Sequence, residues 1–181
     1  MSNYYNNSNY FIKLDIHHFF ESITEEVFFK IYKDRFNKKW TEILKGCFYK
    51  KNLCIGFVTS PVISDFFMSK FDNIISEYLE KNTKIHYSRY CDDILISSEE
   101  DDDKNLKELF ELVKKELNVL NLSLNEKKTR FIKLDYDTHN SISFLGLNIS
   151  KQDEVNNKIT EIDNAKSDMT ASISNKINEV E

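Results

Sequence analysis

Two β-prone runs flank a pair of adjacent aspartates, and this arrangement limits the folds open to the chain more than any other stretch. Lys84 to Tyr90 leads into Cys91-Asp92-Asp93, and Ile94 to Ser98 leads out. Aspartate tolerates turn backbone that β-branched residues resist, so the pattern predicts a tight hairpin with Asp-Asp at its tip. Carboxylates held that close repel each other unless a cation lies between them, which points to a divalent metal. A solvated turn would read the same way in isolation, so the rest of the chain has to decide.

Only three Gly and one Pro in 181 residues leave room for few tight loops, so long elements are expected. The length fits one domain with a core of its own. Residues 1–10 form a polar, Asn-rich lead-in. Tyr10 to Ile16 is β-prone and places Asp15 at or near the end of a strand. Thr24 followed by Glu25 and Glu26 reads as an N-cap with acidic residues in the first helical turn. A second helix opens at Gly56-Phe57-Val58-Thr59-Ser60-Pro61, with Ser60 as N-cap and Pro61 at the first helical position. Its apolar residues (Ile63, Phe66, Phe67, Phe71, Ile74, Ile75, Tyr78, Leu79) recur at three- and four-residue spacing to about Glu80.

After the hairpin, the acidic run Glu99 to Asp103 suits the first turn of another helix. Leu106, Leu109, Phe110, Val113, Leu117 and Leu120 mark its buried face. Asn121 to Lys128 reads as a loop, Thr129 to Leu134 as a strand, and Ile142 to Ile149 as a further strand. Residues 151–181 are polar with a thin apolar pattern, a weak helix or the start of another domain.

The net charge is −5, yet Lys30 to Lys51 carries eight basic residues against Asp34 and Glu42, about +6 locally. Tyr32, Phe36, Trp40, Phe48 and Tyr49 are interleaved with them. Such a stretch suits phosphate contact with base stacking, and equally a solvated face over a core stripe. Three cysteines without CxxC spacing argue against a disulfide framework or zinc site and for a reducing, cytoplasmic setting. No apolar run reaches membrane-spanning length, so no membrane partner is expected.

A strand-end carboxylate beside a hairpin-tip pair can hold two divalent ions. Two such ions can activate a hydroxyl and stabilise the leaving oxygens of phosphoryl transfer. Hard oxygen ligands suit Mg²⁺.

The ordered motifs resemble the palm of reverse transcriptases, most closely the bacterial retron, group II intron and phage-defence types. Phe11 to Ile23, with Asp15, is similar to their first palm motif, and Gly56 to Ser64 to the second. Tyr90-Cys91-Asp92-Asp93 matches the YxDD box. Asn125 to Arg130 is similar to the lysine motif that follows, and Phe144-Leu145-Gly146 to the primer grip. Together the motifs span roughly residues 11–149.

The resemblance implies an α+β fold in which a small antiparallel sheet has helices packed on one face. The palm is expected over residues 11–150, with fingers and thumb largely absent and the polar segment 151–181 as a candidate start of a thumb. It implies an RNA-directed DNA polymerase using two Mg²⁺ ions, with Mn²⁺ as an alternative, and dNTPs, an RNA template and a DNA or RNA primer. Asp15 and Asp92 would be metal ligands, with the Ile16 carbonyl and Asp93 completing the set. Phe20 would exclude a ribose 2′-hydroxyl, and Lys128 would lie near the leaving pyrophosphate. Gly56, Thr59, Ser60 and Pro61 would shape the nucleotide pocket, and Phe144, Leu145 and Gly146 would hold the primer end. His17 and His18 are read as structural or solvent-facing, and Cys91 as filling the variable position of the box.

Ile55 stands where the family usually carries Gln. A partner chain supplying fingers or thumb is one expectation, as is a role in a retroelement or in anti-phage defence. Two further readings stay open: a polymerase-derived nucleic-acid-binding subunit acting through Lys30 to Lys51, and template-independent or protein-primed DNA synthesis.

Overall fold

Strand β1 (Tyr10–Asp15) organises the molecule, because four of its six residues are buried and it is paired on both edges. The computed structural model describes residues 5, 7–82, 84–100, 103–135 and 140–151. Most of the polar lead-in (residues 1–4 and 6) and nearly all of the polar C-terminal segment (152–181) lie outside the described residues. The chain divides into two compact units.

The larger unit, Ser8–Ile132, holds helices α1 (Phe19–Ser22), α2 (Glu25–Tyr32), α3 (Lys38–Lys45), α4 (Ser60–Leu79) and α5 (Asp103–Val119). Its sheet contains β1, β2 (Ile85–Tyr90), β3 (Asp93–Ser98) and β4 (Arg130–Lys133) in the order β2-β3-β1-β4. Pairing of β3 with both β1 and β2 is antiparallel, with Leu14 opposite Ile94 and Asp15 opposite Asp93. Cross-strand partners share a face of the pleat. Ile12, Leu14, Ile94 and Ile96 therefore project together, and they pack with Ile63, Phe67, Met68, Phe71 and Ile75 of α4 and Leu109, Val113 and Leu117 of α5 in one core. This is the expected α+β arrangement with helices on one face of an antiparallel sheet.

Helix α2 begins where Thr24 predicts. The Thr24 hydroxyl accepts the Val27 N–H at 3.2 Å, and Glu25 and Glu26 occupy the first turn. Phe28 is the centre of an aromatic cluster, with the rings of Phe29, Tyr32, Phe48, Phe36, Phe66 and Phe67 at 5.2 to 6.3 Å. The Tyr32 hydroxyl donates to the Phe67 carbonyl at 2.9 Å, tying α2 to α4. The aromatics of the basic stretch therefore divide. Tyr32, Phe36 and Phe48 belong to the core, whereas Trp40, 55% exposed, and Tyr49 face solvent.

Three local expectations are corrected. Helix α4 takes Thr59, not Ser60, as its N-cap, because the Ser60 hydroxyl donates back to the Cys54 carbonyl at 2.7 Å. Asp93 is not part of the hairpin tip: Cys91 and Asp92 form the two-residue loop, and Asp93 is the first residue of β3. The stretch Ile142 to Ile149 is a hairpin rather than one strand, with β5 (Ser141–Phe144) and β6 (Leu147–Ser150) joined at Leu145-Gly146. Both turn residues have positive φ, 52° and 77°, as a type I′ connection requires.

That hairpin belongs to the second unit, Met1–Asn7 with Lys133–Glu181. Burial alternates along β5, with Ile142 and Phe144 buried. No helix among the described residues is long and apolar enough to cross a membrane.

Candidate active site

Asp15 closes β1, and its side chain is only 8% exposed. Its position follows from the pleat: Leu14 points to the helices, so Asp15 points away from them, on the face that also receives Asp93 and Tyr90. The Ile16 N–H donates to the Asp92 carbonyl at 2.9 Å. That makes Ile16 and Asp92 a hydrogen-bonded position, and it leaves Asp15 and Asp93 at the closer type of antiparallel pair, with Cα atoms about 4.5 Å apart.

The hairpin loop is strained in the way such turns require. Cys91 lies at φ 51°, left-handed backbone for a residue with a side chain. Burial pushes the Cys91 thiol up, and the carboxylates of Asp65 and Asp92 push in the same direction, so it stays protonated at neutral pH.

The loop after α5 completes the site. The Asn125 N–H donates to the Asp15 carbonyl at 2.8 Å, and the His17 N–H to the Ser123 carbonyl at 2.8 Å. These bonds dock the 121–128 loop alongside the end of β1, and Lys128 Nζ reaches Asp15 Oδ2 at 2.7 Å. The hydrogen bond to Asp15 and then its charge raise the Lys128 pKa, with smaller contributions from Asp92 and Asp93. Burial raises the pKa of Asp93; Asp92 and Asp15 add to that, while Lys13 and Lys128 oppose it.

Among the described residues no three His, Cys, Asp or Glu side chains are gathered as a metal-holding group. The donor chemistry nevertheless fits a hard divalent cation. Three carboxylates share the end of the sheet, two of them raise the pKa of the third, and an ammonium group already leans on one of them.

Of the other residues singled out in the sequence, Phe20 sits on α1 and packs partly into the core, 5.2 Å from the Phe19 ring. Gly56 adopts φ 89°, and a side chain there would meet nothing within 4 Å, so its role is conformational. Ile55, in the position the family usually gives to Gln, is 72% exposed. Ser60 bonds within its own loop, and Thr59 and Pro61 are exposed beside it. His17 and His18 are both exposed, their rings edge to face at 4.0 Å. Phe144, Leu145 and Gly146 lie in the hairpin of the other unit.

One cluster escaped the sequence reading. Arg89 Nε and Nη2 bond Asp72 Oδ1 and Oδ2 at 2.9 and 2.7 Å, and the Tyr87 hydroxyl donates to Asp72 Oδ1 at 2.7 Å. Asp65 and Asp72 are seven residues apart on α4, two turns on one face. That spacing, opposite alternating Tyr87 and Arg89 on β2, was the available signal.

The sheet, in the order β2-β3-β1-β4, carries helices on one face and carboxylates at its hairpin end. Telomerases have the same fold. An apo telomerase from Candida tropicalis, truncated from its C-terminal domain, superposes with a TM-score of 0.59 at 19% identity over 78% of this chain and 34% of that one. A telomerase from Candida albicans, in complex with the TWJ fragment of telomeric RNA, gives 0.62 at 14% identity over 79% and 30%. The family described as reverse transcriptase (RNA-dependent DNA polymerase) matches residues 2–149, and the chain belongs to that family. Two Escherichia coli relatives are similar in sequence. The retron Ec83 reverse transcriptase is 40% identical over 107 residues, covering 52% of this chain and 34% of the relative. The retron Ec73 reverse transcriptase is 34% identical over 104 residues, covering 50% and 33%. The chain thus spans about one third of the length of these relatives.

Proposed function

We propose that the chain is the palm of an RNA-directed DNA polymerase and carries the carboxylates for nucleotidyl transfer from dNTPs to a primer 3′-hydroxyl. The observation that carries this reading is the meeting of Asp15, Asp92, Asp93 and Lys128 at one end of the sheet, in a chain of this family. Divalent metal is general to the family. Asp15 and Asp92, with the Ile16 carbonyl and Asp93, would hold the two ions, Mg²⁺ being the proposed species and Mn²⁺ the alternative. Ions bound there supply Lewis-acid activation of the primer hydroxyl and charge neutralisation at the leaving pyrophosphate.

The remaining roles fall to other residues. Lys128, whose raised pKa keeps it protonated, presents positive charge and a proton beside the carboxylates, suited to the leaving phosphate. Phe20 blocks a ribose 2′-hydroxyl, while Gly56, Thr59, Ser60 and Pro61 shape the nucleotide pocket. Phe144, Leu145 and Gly146 hold the primer end. The proposed palm is 11–150, with 1–10 as lead-in and 151–181 leading towards a thumb. RNA template and DNA or RNA primer are its proposed partners, together with any chain that supplies fingers or thumb. The retron relatives support a bacterial retroelement setting, and a cytoplasmic location and a role in anti-phage defence are proposed with it.

Primer extension on an RNA template tests the reading. Asp92→Asn is expected to lower the rate by about three orders of magnitude, the several kcal/mol that a metal-held charge supplies. Extension that survives this change would overturn it.

A second reading rests on α3, which buries no residue and exposes Trp40 beside Lys38, Lys39 and Lys45. In that reading the chain is a nucleic-acid-binding subunit without turnover. Salt-dependent binding, lost in Trp40→Ala and Lys39→Glu and accompanied by no metal-dependent extension, would favour it.

A further inference from the structure

The Arg89 side chain is 7% exposed, and it uses its guanidinium in two directions. Nε and Nη2 grip Asp72 as a fork, at 2.9 and 2.7 Å. Nη1, with no place in that fork, donates to the Cys91 carbonyl at 3.0 Å, inside the hairpin loop. Asp65 Oδ1 lies 3.3 Å from both Nη1 and Nη2 and is the more exposed of the two acids. The next carbonyl along the loop, that of Asp92, accepts the Ile16 N–H at 2.9 Å. Consecutive carbonyls of the loop are therefore held by different elements, one by Arg89 of β2, itself gripped by Asp72 of α4, and one by the residue that follows β1. Between them lies Asp92, and Cys91, which owns the first of the two carbonyls, has a left-handed backbone that persists only where its surroundings over-determine it.

We propose that Arg89, locked by Asp72 on α4, is a positioning residue: through the Cys91 carbonyl it sets the hairpin loop, and hence where Asp92 stands relative to Asp15. A buried ion pair is a poor device for stability alone, since an apolar pair of similar volume often serves as well. What an apolar pair lacks is the spare donor aimed at the loop. Lysine cannot grip Asp72 as a fork and still reach the carbonyl in fixed geometry. Only the activity arm of the test rests on the polymerase reading.

The test uses the full chain in four forms: wild type, Arg89→Lys, the double replacement Arg89→Met with Asp72→Leu, and Asp65→Asn. Amide exchange at Ile16 reports the loop, because that N–H bonds the Asp92 carbonyl; amides of α4 report overall stability. In Arg89→Lys, exchange at Ile16 is expected to rise at least tenfold relative to the α4 amides. The rate constant of primer extension should fall at least tenfold, with the KM for dNTP within twofold. The apolar double variant should regain the thermal midpoint of wild type but neither Ile16 protection nor rate. Asp65→Asn should change both by less than threefold. If Ile16 and α4 amides accelerate together, or the apolar pair restores Ile16 protection, Arg89 is only structural and the proposal fails. If wild type extends no primer, the polymerase reading fails, and exchange at Ile16 still decides whether Arg89 sets the loop.

Discussion

Lys128 Nζ and Asp15 Oδ2 stand 2.7 Å apart and join residues 113 positions distant in sequence. The lysine is 62% exposed, so the pair contributes little to stability, and its worth lies in placing an ammonium beside the carboxylates. Lys128→Met is expected to leave the thermal midpoint within about 1 °C. It should slow single-turnover nucleotide addition about a hundredfold, the lower range for a positioned proton donor. Because Asp15 raises its pKa, Lys128 of the metal-free chain should hold its proton above the ordinary lysine range, and an NMR titration of its side chain should lose that shift in Asp15→Asn.

Asp93 provides the pH-dependent counterpart. Its pKa is raised, first by burial and then by Asp92 and Asp15. Between the ordinary carboxylate value and this raised one, the folded chain binds the proton more tightly than the unfolded chain. Stability therefore falls as pH rises through that window, and the ionised side chain is a cost at neutral pH. Asp93→Asn should raise the melting midpoint by roughly 1–3 °C at pH 7 while abolishing extension. The gain should vanish once the pH drops below about 4. Calorimetry at the two pH values checks it.

Asp72→Ala leaves the guanidinium of Arg89 buried without its main partner. A loss of about 3 kcal/mol is expected, towards the lower end for breaking a buried pair because Asp72 is itself partly exposed. Urea denaturation with an unchanged m-value would confirm a pure stability effect.

The aromatic cluster makes a simpler prediction. Phe28→Ala removes a fully buried ring contacted by six others and should cost about 3–5 kcal/mol. Tyr32→Phe, which loses only the hydrogen bond to the Phe67 carbonyl, should cost about 1 kcal/mol. Equilibrium unfolding separates the two.

If Phe20 bounds the sugar pocket, Phe20→Val should raise ribonucleotide incorporation relative to deoxyribonucleotide by about 10- to 100-fold, the scale of steric discrimination in an apolar pocket. Competition between the two substrates in single-nucleotide addition measures it.

Local patterning carried much of this architecture into the sequence. The Thr24 cap, the apolar period of α4 and the strand ending at Asp15 are all short-range signals, and the structure agrees with them. Long-range choices were less visible. Either aspartate of the pair suits a turn, and it is pairing with β1 that makes Asp93 a strand residue opposite Asp15. Leu145 offers no warning that it will take positive φ, so the β5–β6 hairpin read as one strand. Arg89 was passed over because its partners come from a helix that its own neighbourhood does not reveal.

The central place of β1 also fixes an order of events. Its partner β3 lies some 80 residues further along, and Lys128 later still, while β2 and β3 can close on each other locally. Loop closure makes distant pairings slow to form, so the hairpin can precede the sheet, and the charged end of β1 should be completed last. On a ribosome, a nascent chain stalled before residue 128 would already display its Asp92 loop but lack the lysine that meets Asp15. The chemistry, in effect, arrives after the scaffold.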